Sequence, residues 1–393
     1  MEAKIWRREE KYRGTLDTWY NWRKIMTKKR YIIRGYRDGD EGEINTLFNE
    51  IFGSDGRLRT LEEWHWKFKR NPVRVEDISD YATLAECDGK IAGQYAIWFG
   101  NFKYKDKIIK TSHAVDNIMH PDYRNFRVQL DMFKKQNEVA SKEDVKFGFG
   151  FPNEVAYSVG KTLLEYKDIG ELTTLSMRLN LTFPIKRRMP FLPDSIIGIL
   201  QRLSTCVFKG RMKFTQSQSN LIVQEINTFD AAFDEFWKKI SLCYPLMVKK
   251  DSTYMNWRYK EKPGDQYRAY VARDGNQIKG CVVLKAADDF MYYPGAIVGY
   301  IMELLSLKEN GIPEALLRTA LNHFVSQNAD FSVAVIFKED FLYNSLIAMG
   351  FVPRQSLMTH RMVYTIFDRA KIDEDFIKNQ ANWHVMLGDF DTL

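Results

Sequence analysis

Residues 111–170, TSHAVDNIMHPDYRNFRVQLDMFKKQNEVASKEDVKFGFGFPNEVAYSVGKTLLEYKDIG, decide the fold. They read as strand, helix, strand, helix with almost no spare residues, the compact βαβα pattern of a ligand-binding half-domain. Residues 111–119 are an apolar-leaning run that His120-Pro121-Asp122 ends, because proline cannot extend a ladder and restricts the residue before it. Phe126, Leu130 and Phe133 then keep the spacing of one helix face and predict a helix from Arg124 to about Ala140. Val145, Phe147, Phe149 and Phe151 alternate with Lys146, Gly148 and Gly150, which predicts a strand with one packed and one nearly bare face. Pro152-Asn153-Glu154 ends that strand and opens a second helix with Asn153 as its N-cap.

A turn between a strand and a helix presents unpaired backbone N–H groups and the positive end of the helix dipole, and so is a natural anion site. Arg124 and Arg127 fall in that first turn, where a cation is disfavoured by about 0.3–1 kcal/mol unless something negative is near. They read as phosphate partners or as two solvated arginines, and the spacing does not choose between these.

HPDYRNFRVQ followed by FPNEVAYSVGKTLLEYKDIG resembles the acyl-CoA-binding core of the GNAT superfamily of N-acetyltransferases. The signature of that family after its fourth strand is Arg/Gln-x-x-Gly-x-Gly/Ala. His120-Pro121-x-Tyr123-Arg124 matches the approach to it, while Arg127 and Gln129 stand where two small residues belong. The resemblance implies an α/β fold with a mixed sheet and acetyl-CoA, or another acyl-CoA, as co-substrate without a metal. It further implies transfer to a primary amine of a small molecule or peptide by direct attack. The pantetheine arm would lie along Asn117, Ile118, Met119 and His120 like an added strand. The pyrophosphate would face Arg124, Asn125, Phe126, Arg127, Val128 and Gln129. Asn153 would contact the pantetheine, and Tyr157, one helical turn on, would give a proton to the leaving thiolate.

Other readings stand beside these. Tyr157 can be a core tyrosine with a satisfied hydroxyl. Gly148 and Gly150 can make room for the pantetheine or only admit a packed helix. Asp116 is the first choice of base for the ammonium proton, with His113 and His120 as alternatives of suitable intrinsic pKa, although an aspartate there can equally be a structural cap.

The second half of the chain repeats landmarks of the first. Trp66-Lys67-Phe68-Lys69-x-x-Pro72 answers to Trp257-Arg258-Tyr259-Lys260-x-x-Pro263 at an offset of 191. Gly89 and Gly275 are offset by 186, Phe151 and Phe337 by 186, and Tyr166 and Phe351 by 185. These landmarks predict tandem GNAT-like domains at 31–175 and 221–393. A basic extension at 1–30 and an interdomain segment at 176–220 complete the chain. In the second copy no Arg-x-x-Gly-x-Gly pattern follows the fourth strand, and Glu309 and Glu314 place negative charge where a phosphate would sit. That copy reads as structural. The interdomain segment holds a short apolar helix from Ile196 to Leu203, expected to dock on the domain interface in preference to a membrane surface. Asn382 to Asp389 reads as a last strand and turn.

At 393 residues, 45% hydrophobic and 14% aromatic, the chain is globular and long enough for two cores. A formal charge of +7 is modest for this length, and although much of it sits in the first thirty residues and around Lys186-Arg187-Arg188, a nucleic-acid binder shows a denser stripe. Cys87, Cys206, Cys243 and Cys281 lack C-x-x-C spacing, and the histidines are too scattered for a metal site. With no run of eighteen apolar residues and no signal-peptide core, the expectation is a cytoplasmic protein. Two other functions fit the same pattern: a Fem-type aminoacyl transferase, also a tandem GNAT fold without a CoA cradle, and a non-catalytic binding protein whose Arg127 and Gln129 close the pocket.

Overall fold

The computed structural model describes residues 30–53, 58–189, 191–193, 195–202, 221–289, 292–354 and 360–391. The expected N-terminal extension lies almost wholly outside them. Runs of β-branched and aromatic residues set the strands of the first half: β1 (Tyr31–Gly35), β2 (Ala82–Cys87), β3 (Lys90–Tyr104), β4 (Lys107–Met119), β5 (Phe147–Gly150) and β6 (Lys167–Arg178). Those of the second half are β7 (Ile222–Ile226), β8 (Leu246–Val248), β9 (Arg268–Asp274), β10 (Gln277–Asp288), β11 (Ile297–Ser306), β12 (Phe331–Ile336), β13 (Val352–Pro353) and β14 (His360–Ile366). Asp88 and Gly89, with φ of 54° and 75°, make the tight turn between β2 and β3 that their sequence predicts.

The helices are α1 (Asp40–Phe52), α2 (Leu61–Phe68), α3 (Phe126–Lys142), α4 (Glu154–Leu163), α5 (Thr182–Arg188), α6 (195–202), α7 (Ala231–Ile240), α8 (Ser252–Tyr259), α9 (Ile312–Ser326), α10 (Phe341–Met349) and α11 (Glu374–Lys378). Helix α2 starts with a capping box, in which Thr60 accepts from the Glu63 N–H and Glu63 accepts from the Thr60 N–H. Helix α3 begins at Phe126 rather than Arg124 because Asn125 caps it, and it runs two residues past Ala140.

All the strands join one mixed sheet in the order β1-β2-β3-β4-β5-β14-β6-β12-β11-β10-β9-β7, with β8 on β3 and β13 on β6. β4 runs parallel to β5, and β11 runs parallel to β12. Each half has given its next strand to the other: β14 lies against β5, and β6 lies against β12. The expected boundary after residue 175 therefore falls inside β6, and the halves are not separate sheets. Apolar patterning marks where a strand is but not which strand it pairs with, so this exchange is invisible in sequence.

The shared core follows from it. Phe147 and Phe149 of β5 meet the Trp383 ring from the C-terminal segment, in one buried cluster that also holds Tyr300 and Met302 of β11. Strand β5 is buried on both faces, against the bare face expected of Gly148 and Gly150. The C-terminal segment, expected to hold a strand, instead forms 3-10 turns at Gln380–Asn382 and Leu387–Asp389.

Candidate functional site

β4 and β5 are paired only over Thr111–His113 and Phe147–Phe149, after which β5 ends at Gly150 while β4 continues to Met119. Among the described residues no strand pairs with the far edge of β4 from Ala114 onward, and a gap opens between the two. Within this free stretch β4 carries a bulge. Gln94 faces Ile118 and Ala96 faces Val115, so Asp116 and Asn117 together oppose Tyr95. The extra residue restores the side-chain alternation, so that Val115 and Ile118 both enter the same core cluster with Trp66 and Trp98.

Asp116 has φ 48°, a left-handed conformation that aspartate tolerates better than most residues. Its carboxylate is buried between Arg59 at 2.5 Å and Lys67 at 2.9 Å, and its carbonyl accepts from the Gln94 side chain at 3.0 Å. Burial alone would raise its pKa. Lys67 and Arg59 more than offset that and hold the carboxyl below its usual range. So placed, Asp116 is a weak base turned into the protein, and the structural-cap alternative describes it better than the role first assigned. Lys67 also reaches Asp391 at 3.4 Å. Arg59 and Gln94 had no part in the sequence reading, and Lys67 entered it only as a member of the repeated motif. The available signals were an Asp-Asn pair inside an apolar strand and a lysine inside the repeated Trp-Lys-Phe-Lys motif.

His113, at the last paired position of β4, is stacked on Phe149 at 5.0 Å and on Trp98 at 5.9 Å. Burial pushes its imidazole down to about 4, so it is neutral across the physiological range. It lines a small cavity with Trp98, Thr111, Tyr254 and Asp389, about 20 Å³ and so sufficient for one water. His120 sits at the end of β4, where its Nδ1 accepts from the Asp122 N–H at 3.2 Å.

The two glycines of β5 divide the readings offered for them. A Cβ at Gly148 would stand 2.7 Å from the Ser112 hydroxyl and 3.2 Å from Phe367, so this glycine serves close packing. A Cβ at Gly150 would meet nothing nearer than the Ala114 carbonyl at 3.9 Å, so a side chain would fit here in ordinary van der Waals contact and close packing does not require this glycine.

At the start of α3 the Asn125 side chain accepts from the N–H groups of Arg127 at 2.9 Å and Val128 at 3.4 Å. Two donors expected for a pyrophosphate are thus already engaged. Arg124, Phe126 and Arg127 are exposed, and Gln129 is half-buried with its N–H bonded to the Asn125 carbonyl. Asn117 is exposed on the bulge, while Ile118 and Met119 are buried in the cores on either face of the sheet.

Asn153 caps α4 as expected, accepting from the Ala156 N–H at 2.9 Å. The Tyr157 hydroxyl donates to Asp168 on β6 at 3.2 Å, and Arg361 of β14 lies over its ring at 3.9 Å. Both partners belong to strands on the far side of β5 from β4. The tyrosine is directed along the outer surface, not into the gap, and the assignment as proton donor loses its geometric basis. Helical spacing placed Asn153 and Tyr157 on one side of α4 but could not say which strands that side meets.

The second half repeats the bulge and the divergence. Val283 faces Glu303 and Leu284 faces Ile301, leaving Met302 extra, and β11 pairs with β12 only over Val298–Tyr300. This gap is filled. The turn Leu387–Asp389 packs against both β11 and β12. A Cβ on Gly388 would run into the Tyr259 hydroxyl and the Glu303 carboxylate. Arg258 donates to the carbonyls of Gly388 and Phe390, and the fully buried Lys250 pairs with Glu303 at 2.6 Å and Asp389 at 3.0 Å. At the start of α9, Glu314 accepts from the Gly311 N–H at 3.0 Å and so satisfies the helix end without an anion.

A strand order with two parallel, diverging pairs, each bulged on its longer member, is that of the acyl-CoA N-acyltransferase fold, and comparison with solved structures gives the same fold over most of the chain. The chain is similar to a GCN5-related N-acetyltransferase from Anabaena variabilis ATCC 29413, with TM-score 0.60 and 11% identity over 86% of this chain and 73% of that one. It is similar to a probable N-acyltransferase from Enterococcus faecalis V583, with TM-score 0.59 and 10% identity over 86% and 73%. It is also similar to the N-myristoyltransferase of Saccharomyces cerevisiae with bound myristoyl-CoA, with TM-score 0.53 and 12% identity over 88% and 86%. No family model and no curated protein sequence matches the chain. Identities this low establish the fold and leave activity to be argued from the site.

Proposed function

We propose that the protein is an acyl-CoA-dependent N-acyltransferase that works in the gap between β4 and β5, with the second half as a structural copy. The observation that carries this reading is the contrast between the gaps. Among the described residues the first has a free strand edge, and a side chain at Gly150 would meet only ordinary van der Waals contacts, whereas the second is filled by the chain's own Gly388 and sealed by Lys250, Glu303 and Asp389. Acyl-CoA binding by neighbours such as the N-myristoyltransferase supports the assignment of the donor.

In this reading the pantetheine amides pair with the free edge of β4 and the pyrophosphate meets Arg124 and Arg127 at the start of α3. The amine attacks the thioester carbonyl directly, a C–N bond forms, and the C–S bond breaks to release the CoA thiolate. The bulge turns backbone N–H groups out of the ladder beside the reacting carbonyl, where they stabilise its developing negative charge. The ammonium proton passes to solvent, because Asp116 is held by two cations and His113 is sealed among aromatic rings. Acetyl is the donor group we favour, with a small-molecule or peptide amine as acceptor.

One observation favours a second reading, a Fem-type aminoacyl transferase that uses no CoA: Asn125 already occupies two N–H groups of the helix start, and Arg127 and Gln129 replace small residues there. Release of free CoA thiol from acetyl-CoA and from longer acyl-CoA in the presence of a panel of primary amines separates the two. Amine-dependent release supports the first; none with any acyl-CoA supports the second.

A further inference from the structure

The segment after β6 carries apolar side chains that the fold leaves uncovered. Helix α5 is held to the sheet by Phe183, whose ring meets Phe331 of β12 edge to face at 5.9 Å. Beyond that anchor Lys186, Arg187, Arg188 and Met189 are all exposed, with Met189 at 48%. Phe191 is 79% exposed, and on α6 Ile196 and Ile199, three residues apart on one face, are 44% and 59% exposed while Ile197 turns inward. The helix expected to dock on the domain interface therefore buries Ile197 and presents a second apolar stripe to solvent. Arg202 at its end is exposed as well.

Apolar side chains beside a run of cations are the composition of a surface that lies in the interfacial region of an anionic bilayer. Two other ways of covering the patch are opposed by charge. Residues 1–29 hold nine basic against four acidic residues, and a second copy of the chain would set Arg187 and Arg188 against their own equivalents.

Topology places the patch relative to the site. β5 and β6 are both antiparallel to β14, and Gly150 and Asp168 both face Val363, so β6 runs parallel to β5 and continues to Arg178 beyond its end. The β4/β5 gap opens in that same direction. Its mouth and the patch thus lie toward the same end of the sheet, the edge at which β6 finishes.

We propose that this edge rests on an anionic phospholipid surface, with Met189, Phe191, Ile196 and Ile199 entering the acyl boundary and Lys186, Arg187 and Arg188 against the headgroups. This contact is peripheral: among the described residues no helix is long and apolar enough to cross a membrane. It stands whether or not the acyl-transfer reading holds.

Flotation of the full chain with vesicles of phosphatidylcholine alone, or of phosphatidylcholine mixed with phosphatidylglycerol, tests it. Binding is expected to the mixed vesicles and not to the neutral ones, and to weaken as salt rises. Phe191→Asp with Ile199→Asp, and separately Arg187→Glu with Arg188→Glu, should each reduce binding at least about ten-fold. The charge variant changes only exposed positions, so its melting temperature should equal that of the unaltered protein even if the apolar variant folds poorly. Absence of binding to the mixed vesicles overturns the proposal. So does binding that survives charge reversal, or a patch that supports only concentration-dependent self-association.

Discussion

Trp66 and Trp257 hold each other reciprocally: the indole N–H of Trp66 donates to the Trp257 carbonyl at 2.7 Å, and that of Trp257 donates to the Trp66 carbonyl at 3.0 Å. Their rings are stacked 4.9 Å apart at 16°. They are the same position of the repeated motif, so the two halves meet across a local two-fold relation, with a buried hydrogen bond returned by each partner. Trp66→Phe keeps the ring contact but leaves the Trp257 carbonyl unpaired in a dry interior, which costs about 1–3 kcal/mol. Urea denaturation should show that loss in a single transition reporting on both halves, because the β6/β14 exchange makes them one sheet. Two separated transitions would contradict that coupling.

Asp116 is expected to matter for stability and not as a base. Asp116→Ala leaves Arg59 buried without its counter-charge and Lys67 with only the more distant Asp391, a loss of about 3–5 kcal/mol. Because the folded carboxyl lies below its ordinary range, its contribution is fully present above pH of about 4 and fades as pH falls through the folded value. Denaturation from neutral to acid pH should therefore show a steeper acid loss in the unaltered protein than in Asp116→Ala. A turnover profile governed by one group near neutrality and abolished by Asp116→Asn in a folded protein would restore it as the base.

The double charge reversal Arg124→Glu with Arg127→Glu is expected to weaken acyl-CoA binding by more than about ten-fold while leaving the melting temperature unchanged, since both side chains are exposed. Affinity that survives reversal would place the phosphates elsewhere.

Tyr157→Phe should leave turnover unchanged. Its hydroxyl is engaged with Asp168 on the outer face of β6, and the bond it loses lies at the surface. A large fall in the rate of thiol release without loss of affinity would show that the tyrosine swings into the gap during the reaction.

The parts of this molecule that local chemistry controls were legible in the sequence. The end of β4 before Pro121, the Asn153 cap and the Asp88-Gly89 turn each follow from residues within a few positions of one another. What depends on partners distant in the chain was not legible. Nothing near residue 116 announces Arg59, and nothing near Gly388 announces that it will occupy the gap between β11 and β12. Tyr157 shows the same limit: its helix and its face were readable, but the strands opposite that face come from the exchange of β6 and β14.

The central claim is that the first gap binds acyl-CoA and the second does not. Titrating acetyl-CoA and a longer acyl-CoA into the intact protein by calorimetry, with hydrogen exchange on the saturated complex, tests it most directly. Heat saturating at about one molar equivalent is expected, with new protection confined to residues 114–128. No heat with either ligand, saturation at about two equivalents, or protection centred on residues 301–316 would contradict it.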